Sequence, residues 1–291
     1  MLPIIGHKEI VDDLKRLVAK AELSHGYIFY GPTMVGKRTT ALALARFLER
    51  GEFEPPAENE VLQDAKLINL AFAKQLDPNL KDSISIDAVR EIKNFLWQKP
   101  NVSSKRTLII DDAELLTTEA QSALLKITEE PPASSLLIII TSDIQSMMGT
   151  IQSRLQKIYF GAVAEADTLK WLTGGLMLPQ AKAVPLAKKA LGKPGLAWKL
   201  AYDEDFQNNL ELAERFLKTT PTARKDFLKK LIAPEDFSLR NFLDALIINL
   251  AWGKSSKIKA ELWHKTLALQ QSISNFGLNP RLQLENLLIN Q

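Results

Sequence analysis

TLIIDDAELLTTEAQSALLKITEEPP, residues 107–132, decides how the chain is read. Thr107 to Ile110 is a β-branched and aliphatic run without alternation, the pattern of a strand buried on both faces of a parallel sheet. Asp111 and Asp112 end it abruptly. Leu115, Ala120, Ala123, Leu124 and Ile127 then recur at helical spacing, Thr117 or Thr118 can cap that helix, and Pro131-Pro132 stops it. Acids just past the carboxyl end of a buried parallel strand stand where open α/β sheets bind ligands; alone, they also suit a solvated turn.

Working outward, Tyr27 to Tyr30 reads as a second buried strand, followed by Gly31-Pro-Thr-Met-Val-Gly36-Lys37-Arg38 and a helix from Thr39 to Arg50. Strand, glycine loop, lysine and helix is the order a phosphate-binding loop requires. The glycines let backbone N–H groups turn toward an anion, the helix N-terminus adds partial positive charge, and the lysine reaches terminal phosphates. Arg38 stands where Ser or Thr would ligate Mg²⁺. The bland alternative is a tight turn with an exposed lysine.

Further elements repeat the alternation. His7 to Lys20 and Ile86 to Leu96 predict amphipathic helices, and Lys66 to Ala71, Leu136 to Ile140 and Lys157 to Phe160 predict strands. Gly51 to Gln63, acidic and proline-bearing, predicts a surface loop. Up to about Phe160 the alternation implies an α/β fold with a mostly parallel, doubly wound sheet. Beyond it strand signals stop. Three short helices are expected at Ala164 to Trp171, Pro179 to Leu191 and Gly195 to Tyr202. From Phe206 onward the pattern is helical, with turns near Pro221, Pro234, Gly253 and Gly277 and a central apolar helix at Phe242 to Trp252.

Composition narrows the class. With 291 residues, 46% hydrophobic and 24% charged, the chain can form about two domains around a sizeable core. It has no cysteine, which excludes disulfides and thiolate metal sites. No apolar run approaches the ~20 residues of a membrane span, and MLPIIGHKEI lacks the pattern of a signal peptide, so a cytoplasmic location and no membrane partner are expected. A net charge of +3 does not by itself predict nucleic-acid binding. The basic pairs Lys188-Lys189 and Lys229-Lys230 read as solvated helix faces rather than a DNA-binding stripe.

The ordered set of motifs resembles the clamp-loader branch of the AAA+ ATPases, in particular the delta-prime type of DNA polymerase III subunit. The similarity covers Leu2 to about Tyr202, and more weakly the rest. It rests on Ile5-Gly6-His7, on Ser24-His25-Gly26-Tyr27 before the phosphate loop, and on Ile86-Asp87-Ala88-Val89-Arg90. It also rests on Asp111 to Glu114 running on to Ala123 through Pro132, and on Thr150-Ile151-Gln152-Ser153-Arg154. The resemblance implies an AAA+ nucleotide-binding domain at 1–162, a three-helix lid at 163–205 and a helical collar at 206–291. The collar would join other motor and delta-type subunits in a pentameric ring that loads the sliding clamp onto primer-template DNA.

The same resemblance implies site roles. Gly31, Pro32, Gly36, Lys37, Arg38, Thr39 and the sensor-1 residue Thr141 would contact ATP or ADP, weakly held. Asp111 would hold Mg²⁺ through water, and Asp112 stands where active members carry a longer glutamate that orients the attacking water. Gly192-Lys193-Pro194-Gly195 matches the sensor-2 segment, with Gly195 in the place of an arginine. These departures, with Arg38, predict weak hydrolysis or none, since phosphoryl transfer depends on metal, water-positioner and cationic clamp together. The family's four-cysteine zinc module is absent, so no zinc is expected. Ser153-Arg154 resembles the family's finger motif, with Leu155 in place of its cysteine, and implies that Arg154 reaches a neighbour's ATP; the plain alternative is a surface ion pair. Two other functions stay open: a self-sufficient AAA+ motor of the clamp-loader or helicase type, and a DNA-binding module with a vestigial nucleotide site.

Overall fold

The computed structural model describes residues 2–77, 83–232, 237–252 and 257–273. The chain divides into two compact units, Met1–Ala197 and Trp198–Gln291.

In the first unit α1 (Lys8–Ala19) leads to β1 (Gly26–Tyr30), α2 (Lys37–Arg50) and β2 (Ala65–Ile68). Then come α3 (Leu70–Leu76), α4 (Ile86–Trp97), β3 (Arg106–Ile110) and α5 (Thr118–Glu129). β4 (Ser135–Thr141), the single turn α6 (Gly149–Gln152) and β5 (Gln156–Tyr159) complete the sheet. The sheet order is β2-β3-β4-β1-β5 and every pair is parallel. All five residues of β3 and all seven of β4 are buried: the apolar runs Leu108 to Ile110 and Leu136 to Ile140 require it, and Arg106, Thr107, Ser135 and Thr141 are buried beside them.

The pleat sends alternate residues to two cores. Leu108, Ile110, Leu137 and Ile139 pack with Val89, Leu96, Leu124 and Ile127 on the α4–α5 side. Ile109, Leu136, Ile138 and Ile140 pack with Leu14, Phe29, Leu44 and Phe160 on the α1–α2 side. Thr117 caps α5, its side chain accepting from the Ala120 N–H. Leu115, whose spacing suggested that helix, lies instead in a short 3-10 turn, Ala113–Leu115.

One expected strand is shorter. The apolar run Lys66 to Ala71 predicts a strand throughout, but β2 ends at Ile68 and Leu70–Leu76 is helical. Asn69 makes the switch: its side chain accepts from the Phe72 N–H, and this local cap outweighs the apolar continuity. After β5 come α7 (Glu165–Lys170), continued by the wide turn Trp171–Gly175, then α8 (Gln180–Lys189) and α9 (Pro194–Tyr202). The sheet is thus an α/β parallel, doubly wound one followed by helices.

The second unit holds α10 (Glu204–Lys218), α11 (Pro221–Ile232), α12 (Leu239–Trp252) and α13 (Lys257–Ile273). Phe242, Leu243, Ala245 and Leu246 of α12 are fully buried beside Phe216 and Leu228. The turns expected near Pro234, Gly253 and Gly277 lie outside the described residues.

Candidate functional site

Parallel order brings the carboxyl ends of β1, β3 and β4 to one edge, and with them most of the chemistry read from the sequence. The loop Gly31 to Gly36 leaves β1 and enters α2, Asp111 and Asp112 follow β3, and Thr141 ends β4 in register with Tyr30.

The loop is braced on every side. A Cβ on Gly31 would lie 2.2 Å from the Phe160 carbonyl oxygen, so no other residue fits there. His7 donates from Nε2 to the Val35 carbonyl at 3.0 Å, its pKa lowered by burial. Met34 adopts a left-handed φ of 63°, an uncommon conformation for a non-glycine residue. Its carbonyl accepts from the Gly195 N–H at 3.0 Å.

That contact leaves little room for a side chain at Gly195. A Cβ on Gly195 would stand 3.1 Å from both Cβ and O of Met34. The backbone of α9's first turn therefore touches the loop directly at Met34.

Lys37 folds back inside the loop. It is 7% exposed, and its ammonium donates to the carbonyls of Gly31 at 2.5 Å and Pro32 at 2.6 Å. Its pKa falls to about 8, mainly because burial penalises the charge; Glu114 and Asp111 pull upward, and Lys193 adds to the depression. Arg38, on the outer side of α2, places Nε 3.8 Å from Asp111 Oδ2. The other Asp111 oxygen accepts the Asp112 N–H at 3.0 Å. Burial, followed by repulsion from Asp112, raises the Asp111 pKa to about 6 despite Arg38. Asp112 sits in the left-handed region, φ 54°, turning the chain into the 3-10 segment.

Two further expected residues are locally engaged. The Thr141 hydroxyl donates to the Asp143 carbonyl at 2.9 Å and accepts the Asp143 N–H at 3.1 Å. Thr39 is half-buried in the first turn of α2, while the neighbouring Thr40 hydroxyl donates to the Gly36 carbonyl.

Arg154 is elsewhere. It lies two residues before β5, at the amino edge of the sheet, whereas the loop and the acidic pair lie past the carboxyl ends. At ~3.3 Å per residue a strand of this length separates the two edges by more than about 10 Å. There Arg154 donates to the Thr150 carbonyl at 2.7 Å and pairs with Glu129 at 3.1 Å.

Reading the sequence assigned no charge role to Glu114, whose carboxylate accepts from the Ser142 hydroxyl at 2.7 Å and acts on Lys37. Nor did it assign one to Lys193 or to the Met34–Gly195 contact, since no spacing rule joins residues so far apart in the chain.

The arrangement suits phosphate groups: loop, helix N-terminus, Lys37 and Arg38 face one edge. It does not fit a hydrated Mg²⁺. The position after Lys37 offers a cationic donor instead of an oxygen ligand, and that cation faces the Asp111 oxygen a metal would need. Among the described residues no group of three or more His, Asp or Glu could hold a metal ion.

A family model described as DNA polymerase III, delta subunit, matches residues 6–164, more than half of the chain. Replication factor C subunit 3 of Schizosaccharomyces pombe is 28% identical over 190 residues, covering 65% of this chain and 50% of that protein. DNA polymerase III subunit gamma/tau of Mycobacterium tuberculosis is 30% identical over 162 residues, covering 52% of this chain and 27% of that protein. The chain thus spans half or less of the length of these relatives. Among solved structures, a DNA polymerase III gamma subunit-related protein of Thermotoga maritima superposes with a TM-score of 0.56 at 23% identity, covering 96% of this chain and 97% of that one. A substituted form of Thermotoga maritima RuvB gives 0.51 at 14% identity over 97% of this chain and 88% of that one, a likeness of fold alone. Parallel sheet, the order of strand, glycine loop and helix, and the family match agree: the chain belongs to the AAA+ clamp-loader family, in the branch described as DNA polymerase III, delta subunit.

Proposed function

We propose that this chain is a delta-prime-type clamp-loader subunit, weakly hydrolysing or non-hydrolysing, that supplies Arg154 to the nucleotide site of a neighbouring subunit. The observation that carries this reading is the position of Arg154 on the sheet edge opposite the chain's own phosphate loop. An arginine so placed has no reach to its own site. An arginine presented in trans stabilises the charge that develops on a transferring phosphoryl group, an effect worth ~10³–10⁵ in rate in GTPase precedents. At the chain's own site Arg38 replaces the metal-binding hydroxyl, Asp112 is one methylene short of a glutamate, and Gly195 offers backbone only. ATP or ADP would still bind through Gly31, Pro32, Gly36, Thr39 and Lys37, with Thr141 close by, but only after the ammonium leaves the Gly31 and Pro32 carbonyls. That exchange supports weak affinity.

On this reading residues 1–162 form the nucleotide-binding domain, 163–205 the lid and 206–291 a collar that joins other loader subunits in a pentameric ring. The sliding clamp and primer-template DNA are met through that complex, in the cytoplasm. The apolar centre of α12, buried against Phe216 and Leu228, is the core of that helical unit. Among the described residues no helix is long and apolar enough to cross a membrane.

The retained Lys37 and Asp111 favour a second reading, a self-sufficient ATPase motor. Steady-state ATP hydrolysis by the isolated chain separates the two. Little or no turnover is expected, and Lys37→Ala should change it little. Sustained turnover by the isolated chain on the order of ~1 s⁻¹ or faster, eliminated by Lys37→Ala, would establish the motor instead.

A further inference from the structure

We propose that the phosphate loop takes the phosphates of a nucleotide without a divalent cation, the Arg38 guanidinium standing in the metal's place. The inference rests on the reading that nucleotide occupies this loop, and adds what neutralises its charge. In a loop of this order the residue after the lysine lends a hydroxyl to the metal, and an acid past a neighbouring strand holds the metal from the other side. Here both positions are present but paired directly with each other in charge: Arg38 Nε lies 3.8 Å from Asp111 Oδ2.

The remaining surface of the guanidinium is available. The Arg38 side chain is 47% exposed while Asp111 is 16% exposed, so the pair is open on the arginine side only. A guanidinium carries five donors in a planar fork that matches phosphate oxygens. Asp111 faces the Nε side of that fork at 3.8 Å. Lys37 adds a second cation next to it in the chain, and the N-terminus of the 14-residue helix α2 lies beneath both. Lys193, just before α9, is near enough for its charge to be felt at Lys37. A dication entering this cluster would meet a guanidinium at the carboxylate it needs, with no hydroxyl to receive it. Arg38 is therefore a specificity-determining residue for a metal-free phosphate ligand.

Titration calorimetry of the full chain with ADP, run in Mg²⁺ and again in EDTA, tests this. Wild-type dissociation constants should agree within about twofold between the two buffers. Arg38→Thr, which restores the hydroxyl, should bind at least ~10-fold more tightly in Mg²⁺ than in EDTA, and Arg38→Ala should lose ~10-fold in EDTA. ADP-induced shifts in melting temperature, measured on the same variants, verify that each is folded. Wild-type binding that disappears in EDTA overturns the metal-free site but leaves nucleotide binding intact. No binding in either buffer overturns both.

Discussion

Two acid–arginine pairs lie at opposite ends of β3, and their contrast separates what holds this fold from what it is built to bind. At the amino end, Asp64 and Arg106 are 1% and 6% exposed and 3.2 Å apart. Asp64 also accepts the N–H groups of Asn101, Val102 and Ser103 at 2.7–2.8 Å. Arg106 donates to the carbonyls of Lys99 and Gln63 and stacks over Phe95. Burial works against the Asp64 charge, yet this ring of donors and the arginine leave its pKa below the usual carboxylate value. At the carboxyl end Asp111 is also sheltered, but it accepts the Asp112 N–H at 3.0 Å and faces Arg38 at a looser 3.8 Å. Its pKa rises to about 6. The first pair is closed by the fold, and the second leaves its arginine half-exposed, as the proposed phosphate site requires.

The contrast breaks most directly at Asp64. Removing one partner of a buried ion pair leaves the other uncompensated and costs about 3–5 kcal/mol. Asp64→Ala should therefore lower the melting temperature by roughly 10 °C, from the scaling of unfolding entropy with chain size. A change within the range of ordinary surface substitutions would mean that the loop N–H groups alone hold this corner.

Asp111→Asn should act in the opposite direction. The folded-state pKa of Asp111 lies above its ordinary value of 3.8, so its ionised form opposes folding at pH 8. The substitution removes that opposition and should stabilise by about 1–3 kcal/mol. As pH falls through about 6 the wild-type carboxyl takes its proton, so the gain should shrink, and vanish below the ordinary value of 3.8. Chemical denaturation at about pH 8 and about pH 5 measures the difference. Equal gains at both would remove the distinction drawn between the two pairs.

The third effect concerns Lys37. The proposed anion binding would use its ammonium, whose pKa in the free chain is about 8 instead of 10.5. ADP affinity should hold up to that pH and then fall by at most about tenfold per unit above it. A profile that stays flat to about pH 10 would show that Lys37 is not the cation the phosphates meet.

Much of the carboxyl edge was legible in the sequence. Unbroken apolar runs announced β3 and β4, and a glycine loop between strand and helix placed Lys37. The lid glycine was legible as an absence, but its contact was not: the Met34 carbonyl it approaches lies more than half the chain away, joined only by folding. The Asp64–Arg106 pair was invisible for the same reason. Asp64 sits at the edge of a polar stretch that reads as loop, and only the return of β3 beside β2 brings Arg106 to it. Asn69 misled in a different way, since a capping side chain was hidden inside an apolar run.

The central claim, an assembly partner that activates its neighbour while its own site contributes little, is tested most directly by ATP turnover of the reconstituted clamp loader carrying this chain as Arg154→Ala or as Lys37→Ala. Arg154 is half-exposed and bonds the Thr150 carbonyl and Glu129 at the surface, so its loss should leave folding and assembly intact. The account predicts that Arg154→Ala lowers turnover at least ~10-fold, a fraction of the full effect of a trans arginine, while Lys37→Ala changes it by less than about twofold. A large loss with Lys37→Ala and a negligible one with Arg154→Ala would contradict it.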